Sequence, residues 1–357
     1  MTGDSADSRL GEPRSDDEIL TEACNGVRFL TLNRPKAINS LTHSMVITMH
    51  SLLRDWADDD DVRAVVVRGA GERGLCAGGD IVAIYQSIQA DGGSETRQFW
   101  HDEYVLNRYI ARYPKPYTAL MDGIVMGGGV GIAVHAGTRV VTDTSKVAMP
   151  EVGIGLVPDV GGTYYLSRAP GNLGLHVALT GAPFAGSDAI AMGFADHYVP
   201  HTALGDFAQA IAADGLDDAL EKYAVAPPPS NLAAQRTWID ECYAGDTVAD
   251  VVAALRGHDA GPANDAANLI ATRSPTALAV ALAAVRRAAQ LETLEDVLRQ
   301  EYRVSCATLR SHDLMEGIRA QVIDKDRDPK WSPAALSAVS AADVEAFFAP
   351  AQNDLTF

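Results

Sequence analysis

The sequence has little of what marks a secreted, metal-bound or nucleic-acid-binding protein. Its four cysteines, Cys24, Cys76, Cys242 and Cys306, lie far apart and form no CxxC pair. Neither a disulfide framework nor a zinc site is expected, and a reducing, cytoplasmic setting fits. Basic residues are scarce: 29 Lys and Arg against 47 Asp and Glu leave a net charge of −18. Such a chain repels nucleic acid and anionic membranes, so an anionic substrate needs a local cationic patch. No apolar run approaches the roughly 20 residues that cross a bilayer. The start, residues 1–18, is polar and acidic, without the apolar stretch of a signal peptide. Catalytic signatures are missing too: there is no GxxxxGK(S/T), no HExxH and no GxSxG. The triplet Gly127-Gly128-Gly129 fails the dinucleotide fingerprint, because Ile132 stands where its last glycine belongs. Asp324, Asp326 and Asp328 imitate half a calcium loop, but Pro329 replaces its glycine and Ala335 its closing glutamate. These absences weigh against a nucleotide hydrolase, a zinc enzyme and a serine hydrolase; no metal or redox cofactor is called for.

What is present is an ordinary globular composition, 47% hydrophobic over 357 residues, enough for one large domain or two. Residues 1–17 have the composition of a disordered tail. Val27, Phe29 and Thr31 alternate against Arg28, Leu30 and Leu32, predicting a strand that ends at Asn33-Arg34-Pro35. Thr42 can cap a helix to about Ala57, with Met45, Met49, Leu52, Leu53 and Trp56 on one stripe. Residues 64–67 form a continuous apolar strand of the kind buried on both faces. Strand and helix signals alternate to about residue 200, and helical signals dominate after it. Among these, Ser274-Pro275 and Thr293 open helices. The expected organisation is therefore an α/β core over 18–200 and a helical region over 201–345. A last stretch, 346–357, is expected to fray or dock weakly.

Three stretches carry chemistry. CAGGD (76–80) and MGGGVG (126–131) are glycine-bearing turns between a strand and a helix, where backbone N–H groups can face negative charge. PEVGIGLVPDVGG (150–162) places Glu151 and Asp159 in a Gly- and Pro-rich segment with apolar flanks, where burial can perturb a carboxylate. Each has a bland counterpart. One glycine turn is a tight connection, Glu151 a solvated loop residue, and Asp159 a helix cap.

Together these stretches resemble the crotonase (enoyl-CoA hydratase/isomerase) superfamily. The likeness begins at LNRPKAINSL (32–41) and continues through MGGGVGIAVHAGTRVVT and AMPEVGIGLVPDVGGTYYLSR. HDEYVLN (101–107), ALTGAPFAG, SPTAL (274–278), EYRVS (301–305) and IDKDRDPKWSP (323–333) extend it over most of the chain. These point within the superfamily to the subgroup of 3-hydroxyisobutyryl-CoA hydrolases. The resemblance implies a spiral core of ββα units with a helical C-terminal region, an acyl-CoA thioester substrate and a place in valine breakdown. It also implies a homo-oligomer, trimer or hexamer, and no cofactor beyond the coenzyme A of the substrate. By the same resemblance Glu151 and Asp159 are catalytic, and the N–H groups of Gly79 and Gly128 form the oxyanion hole. Glu103 contacts substrate, and Arg34 and Lys36 stand ready for coenzyme A phosphates, a solvated surface being the alternative for both cations. One departure matters. Hydratases carry a second glutamate where this sequence has Gly131, which puts paired-carboxylate hydration in doubt. A hydratase or isomerase, and a non-catalytic acyl-CoA-binding homologue, remain the alternatives.

Overall fold

The computed structural model describes residues 17–357. The expected disordered tail lies outside the described residues, apart from Asp17. The main sheet has the order β1-β2-β3-β4-β6-β9. Its strands are β1 (Ile19–Cys24), β2 (Val27–Leu32), β3 (Ala64–Gly69), β4 (Tyr117–Met121), β6 (Thr138–Val141) and β9 (His197–Tyr198). A small sheet joins β5 (Ile124–Met126), β7 (Lys146–Ala148) and β8 (Phe184–Ala185). All pairs are parallel except β1 with β2 and β7 with β8. Consecutive units thus alternate: β4 and β6 extend the large sheet, while β5 and β7, which follow them, extend the small one. An isolated bridge from Cys76 to Val125 lets the segment after β3 join the same pattern. This is the spiral of ββα units that the motifs imply. Strand β1 has no clear signal in the sequence, because its polar alternation, ILTEAC, resembles a loop; it pairs only along one edge and leaves half its residues exposed.

The alternation along β2 and β3 explains why their runs are so apolar. Leu30, Leu32, Val65 and Val67 enter the main core with Met45, Met49 and Trp56 of the His43–Ala57 helix. Val27, Phe29 and Val66 face the other way, onto Phe207, Ala208 and Ile211 of the Leu204–Ala213 helix. Both faces of the sheet are covered, as parallel strands require. Thr42 caps its helix by accepting the Met45 N–H, and Ser274 and Thr293 cap theirs in the same way. Of the two expectations for the C-terminal stretch, fraying or weak docking, the structure shows docking. Phe348 and Leu355 are buried, and Asp354 pairs with Arg303, so apolar anchors and an ion pair hold it. The failed calcium loop holds a guanidinium instead: Arg319 contacts both Asp324 and Asp326.

Candidate active site

The two glycine turns abut. Cys76 accepts the Met126 N–H at 2.9 Å, and a Cβ on Gly129 would lie 2.5 Å from the Cys76 carbonyl oxygen, so the approach requires glycine. Gly78, at φ +103°, brings the Gly79 and Gly128 segments together: a Cβ on Gly128 would stand 3.4 Å from the Gly79 nitrogen. The neighbours of Gly79 are committed, since Leu41 donates to Gly78 and accepts from Asp80. The N–H groups of Gly79 and Gly128 donate to no acceptor among the described residues. Both glycines line one cleft of about 1040 Å³, together with Glu103, Glu151 and Asp159.

The three carboxylates are buried. Glu151 begins a short 3-10 turn after β7, and its Oε2 has no hydrogen-bond partner among the described residues. Burial, and then the neighbouring Asp159, push its proton affinity well above the usual range. Asp159 is raised to about 6 by burial, against a hydrogen bond from the Tyr104 hydroxyl at 2.6 Å. Glu103, on the Ser94–Ala111 helix, is raised for the same two reasons as Glu151, burial first and Asp159 second. A carboxyl group without a cationic partner at low dielectric holds its proton more tightly, so the cleft holds several acids of unequal strength. Asp159 is no helix cap. The Gly162–Leu166 helix beyond it is capped from afar by Glu301, which accepts the N–H groups of Gly161 at 2.6 Å and Thr163 at 2.9 Å.

Gly131 has no room for a glutamate. A Cβ there would lie 2.7 Å from Val160 Cβ and 2.9 Å from Asn107 Nδ2. Cys76 is no nucleophile, since burial pushes its thiol up to about 12. Arg34 and Lys36 both reach the cleft mouth, with different fates. Arg34 is engaged, by Asp80 at 2.9 Å, Glu18 at 3.2 Å and the Ser40 carbonyl. Lys36, Arg73 and Lys325 also line the cleft and have no acidic partner among the described residues.

The enoyl-CoA hydratase/isomerase family model matches residues 27–348. This chain belongs to that family. Among family members, a curated relative from Danio rerio named "3-hydroxyisobutyryl-CoA hydrolase, mitochondrial" is 39% identical, covering 93% of this chain and 89% of its own length. The Homo sapiens protein of the same name is 37% identical, covering 96% and 91%. Two solved structures share the fold over nearly their full length. One, titled a carnitinyl-CoA dehydratase from Mycobacterium thermoresistibile, has a TM-score of 0.94 at 66% identity, covering 96% of this chain and 99% of that one. The other, titled an enoyl-CoA hydratase from Rhodobacter sphaeroides 2.4.1, has a TM-score of 0.90 at 39% identity, covering 96% and 100%. The family acts on acyl-CoA substrates, which the cleft and its cationic mouth suit.

All seven candidate residues line this cleft, and behind Asp159 stand three further groups that were not among the candidates. Tyr104, Glu301 and Ser305 are buried polar residues on the apolar stripes of their helices. Glu301 falls three residues after Leu298 and Ser305 three after Tyr302, and a polar group on a core stripe is the signal that marks them.

Proposed function

We propose that this protein hydrolyses the thioester of 3-hydroxyisobutyryl-CoA, or of a closely related 3-hydroxyacyl-CoA, to the free acid and coenzyme A. One observation carries the choice of reaction. Glu151 and Asp159 share a buried cleft with two unpaired backbone donors, while Val160 and Asn107 fill the place of a second hydratase glutamate. The names of the curated relatives agree with it. In this reading the thioester oxygen lies on the N–H groups of Gly79 and Gly128. These strengthen their hold as negative charge develops, without any reorganisation. Glu151 in its ionised form attacks the carbonyl carbon or takes a proton from the attacking water. In either case a C–O bond forms, the C–S bond breaks, and the sulfur leaves as thiolate and is then protonated; where Glu151 itself attacks, the product is an acyl–Glu151 anhydride, which a water then hydrolyses to the free acid and the regenerated carboxylate. Asp159 receives the 3-hydroxyl or the water and assists proton transfer, and Glu103 borders the acyl group. Lys36, Arg73 and Lys325 meet the coenzyme A phosphates, while Arg34 fixes Asp80 and with it the turn that carries Gly79. No metal or redox cofactor enters. The same proposal places the enzyme in valine breakdown, in the cytoplasm, as a homo-oligomer of three or six copies. Light scattering on the purified protein tests the assembly.

A hydratase or isomerase is the second reading, favoured by the titles of the two solved relatives and by the presence of a second buried carboxylate, Asp159. One assay separates the readings. Across a panel of 3-hydroxyacyl-CoAs and enoyl-CoAs, thiol release identifies the hydrolase and loss of the enoyl absorbance the hydratase. Saturable binding with neither marks a binding protein.

A further inference from the structure

The segment that carries Asp159 is held in a conformation it does not adopt freely. Val160, a β-branched residue, has φ +54° and Gly161 has φ +80°. A valine in the left-handed region persists only where its surroundings over-determine it. Three contacts do so. His135 Nε2 donates to the Val160 carbonyl at 2.8 Å, in a ring kept neutral because burial lowers it to about 4. Glu301 accepts the Gly161 and Thr163 N–H groups. The third contact reaches the carboxylate itself, through Tyr104.

Tyr104 has no exposed surface, and its hydroxyl has two partners. One is Asp159 Oδ2 at 2.6 Å and the other is Ser305 Oγ at 2.9 Å. An ionised carboxylate only accepts, so Tyr104 donates to Asp159 and its lone pair accepts from the Ser305 hydroxyl. The direction of the whole relay, Ser305 to Tyr104 to Asp159, is fixed by the charge at its end. Ser305 and Glu301 lie one turn apart on the Leu294–Thr308 helix. A single face of that helix therefore holds the backbone after Asp159 and, through Tyr104, its side chain.

We propose that Tyr104 is a positioning residue that aims the Asp159 carboxylate into the cleft and keeps it ionised there, and that Ser305 of the C-terminal helical region fixes Tyr104 in that task. This rests on the role of Asp159 in the proposed thioester hydrolysis. The other titratable groups around Asp159, namely Glu103, Glu151 and Glu301, are all acids, and each disfavours its charge. Tyr104 is the side chain that donates a hydrogen bond to it.

Tyr104→Phe keeps the ring and removes the donor. It is expected to move the acidic limb of the kcat/KM profile up by on the order of one pH unit, the effect of losing a hydrogen bond to a buried charge. The rate then falls about fivefold more at pH 6 than at pH 8. Ser305→Ala leaves Tyr104 in place and should move the limb the same way by less. A role in packing alone lowers the rate equally at all pH values. Ionisation is also read without substrate, from the carboxyl carbon-13 titration of Asp-labelled protein, with the Asp159 resonance identified by its loss in Asp159→Asn. That resonance should titrate at higher pH in both variants, whether or not the protein proves to be a thioesterase. An Asp159 titration unchanged in Tyr104→Phe and in Ser305→Ala overturns the proposal. A shifted resonance with no thiol release by the unmodified protein would instead retire the hydrolase reading and leave the relay standing.

Discussion

The cleft has two walls built on different principles. The glycine wall offers backbone N–H groups from two turns that lock together through one bridge and a Cα-close approach. Its donors come with the turns themselves, so chemistry and local conformation are one property. The carboxylate wall offers side chains, and their behaviour is set from a distance. Asp159 takes its hydrogen bond from Tyr104, 55 positions away, and its loop is tied to Glu301, 140 positions from Gly161. Neutral donors are cheap to bury once a ligand oxygen arrives. Buried carboxylates are not: Glu103, Glu151, Asp159 and Glu301 form no ion pair among the described residues and all hold their protons more tightly than in water. The contrast separates two tasks. One wall stabilises charge that develops on substrate, and the other regulates charge that the protein carries.

If the carboxylate wall does the bond-making, the largest loss follows Glu151→Gln, a near-isosteric change. The expected fall in kcat is roughly a thousandfold, with coenzyme A ester binding by calorimetry unchanged. A kcat near that of the unmodified protein would remove Glu151 from the chemistry. On the glycine wall, Gly79→Pro deletes one donor. A Cβ at that position meets only the Phe99 ring edge at 3.3 Å, whereas at Gly128 it would meet Glu103 Oε1 at 2.5 Å, so position 79 gives the cleaner test. A fall in kcat/KM of about a hundredfold or more is expected, ~3 kcal/mol, in protein whose circular dichroism is intact. Substrate recognition sharpens the contrast further. Isobutyryl-CoA should react with a kcat/KM lower than 3-hydroxyisobutyryl-CoA by roughly 2–4 kcal/mol, because it leaves a buried carboxylate without the hydrogen bond that the 3-hydroxyl supplies. Asp159→Ala should narrow that gap, and a gap it leaves untouched moves hydroxyl recognition to Glu103 or elsewhere. The smallest effect is on pH dependence. Burial raises Asp159 to about 6, so its ionised form is present above that value and lost below it. Glu151 must be ionised too and is also raised, so a pH–rate profile should fall more than tenfold per unit below about pH 6, where both carboxylates take up protons. In Asp159→Asn this limb should flatten.

The same contrast explains what was legible in the sequence. The turns CAGGD and MGGGVG declare themselves, since only glycine permits the approach of Gly129 to Cys76 and the φ of Gly78. Glu151 is legible from its place after an apolar strand. Asp159 was ambiguous, because a carboxylate two residues before Gly-Gly and a helix looks like a cap. Which group caps that helix was decided by Glu301, a residue whose partner no local pattern can supply. Gly131 showed as a missing carboxylate, but the reason for its absence, Val160 and Asn107 occupying the space, is a matter of packing. Arg34, expected to meet coenzyme A phosphates or solvent, lines the cleft, and the ion pairs it makes there with Glu18 and Asp80 have no local signal in the sequence. The fold's spiral followed from motif order, whereas β1, a half-exposed edge strand, had too little apolar signal to be seen.

The division of labour between the walls is tested most directly by a crystal structure of the Glu151→Gln protein with 3-hydroxyisobutyryl-CoA bound. The thioester oxygen should lie about 3 Å from the N–H groups of both Gly79 and Gly128. The 3-hydroxyl should then point to Asp159, and the adenosine phosphates should lie among Lys36, Arg73 and Lys325. A thioester oxygen turned away from both glycines, toward the carboxylates, would contradict it.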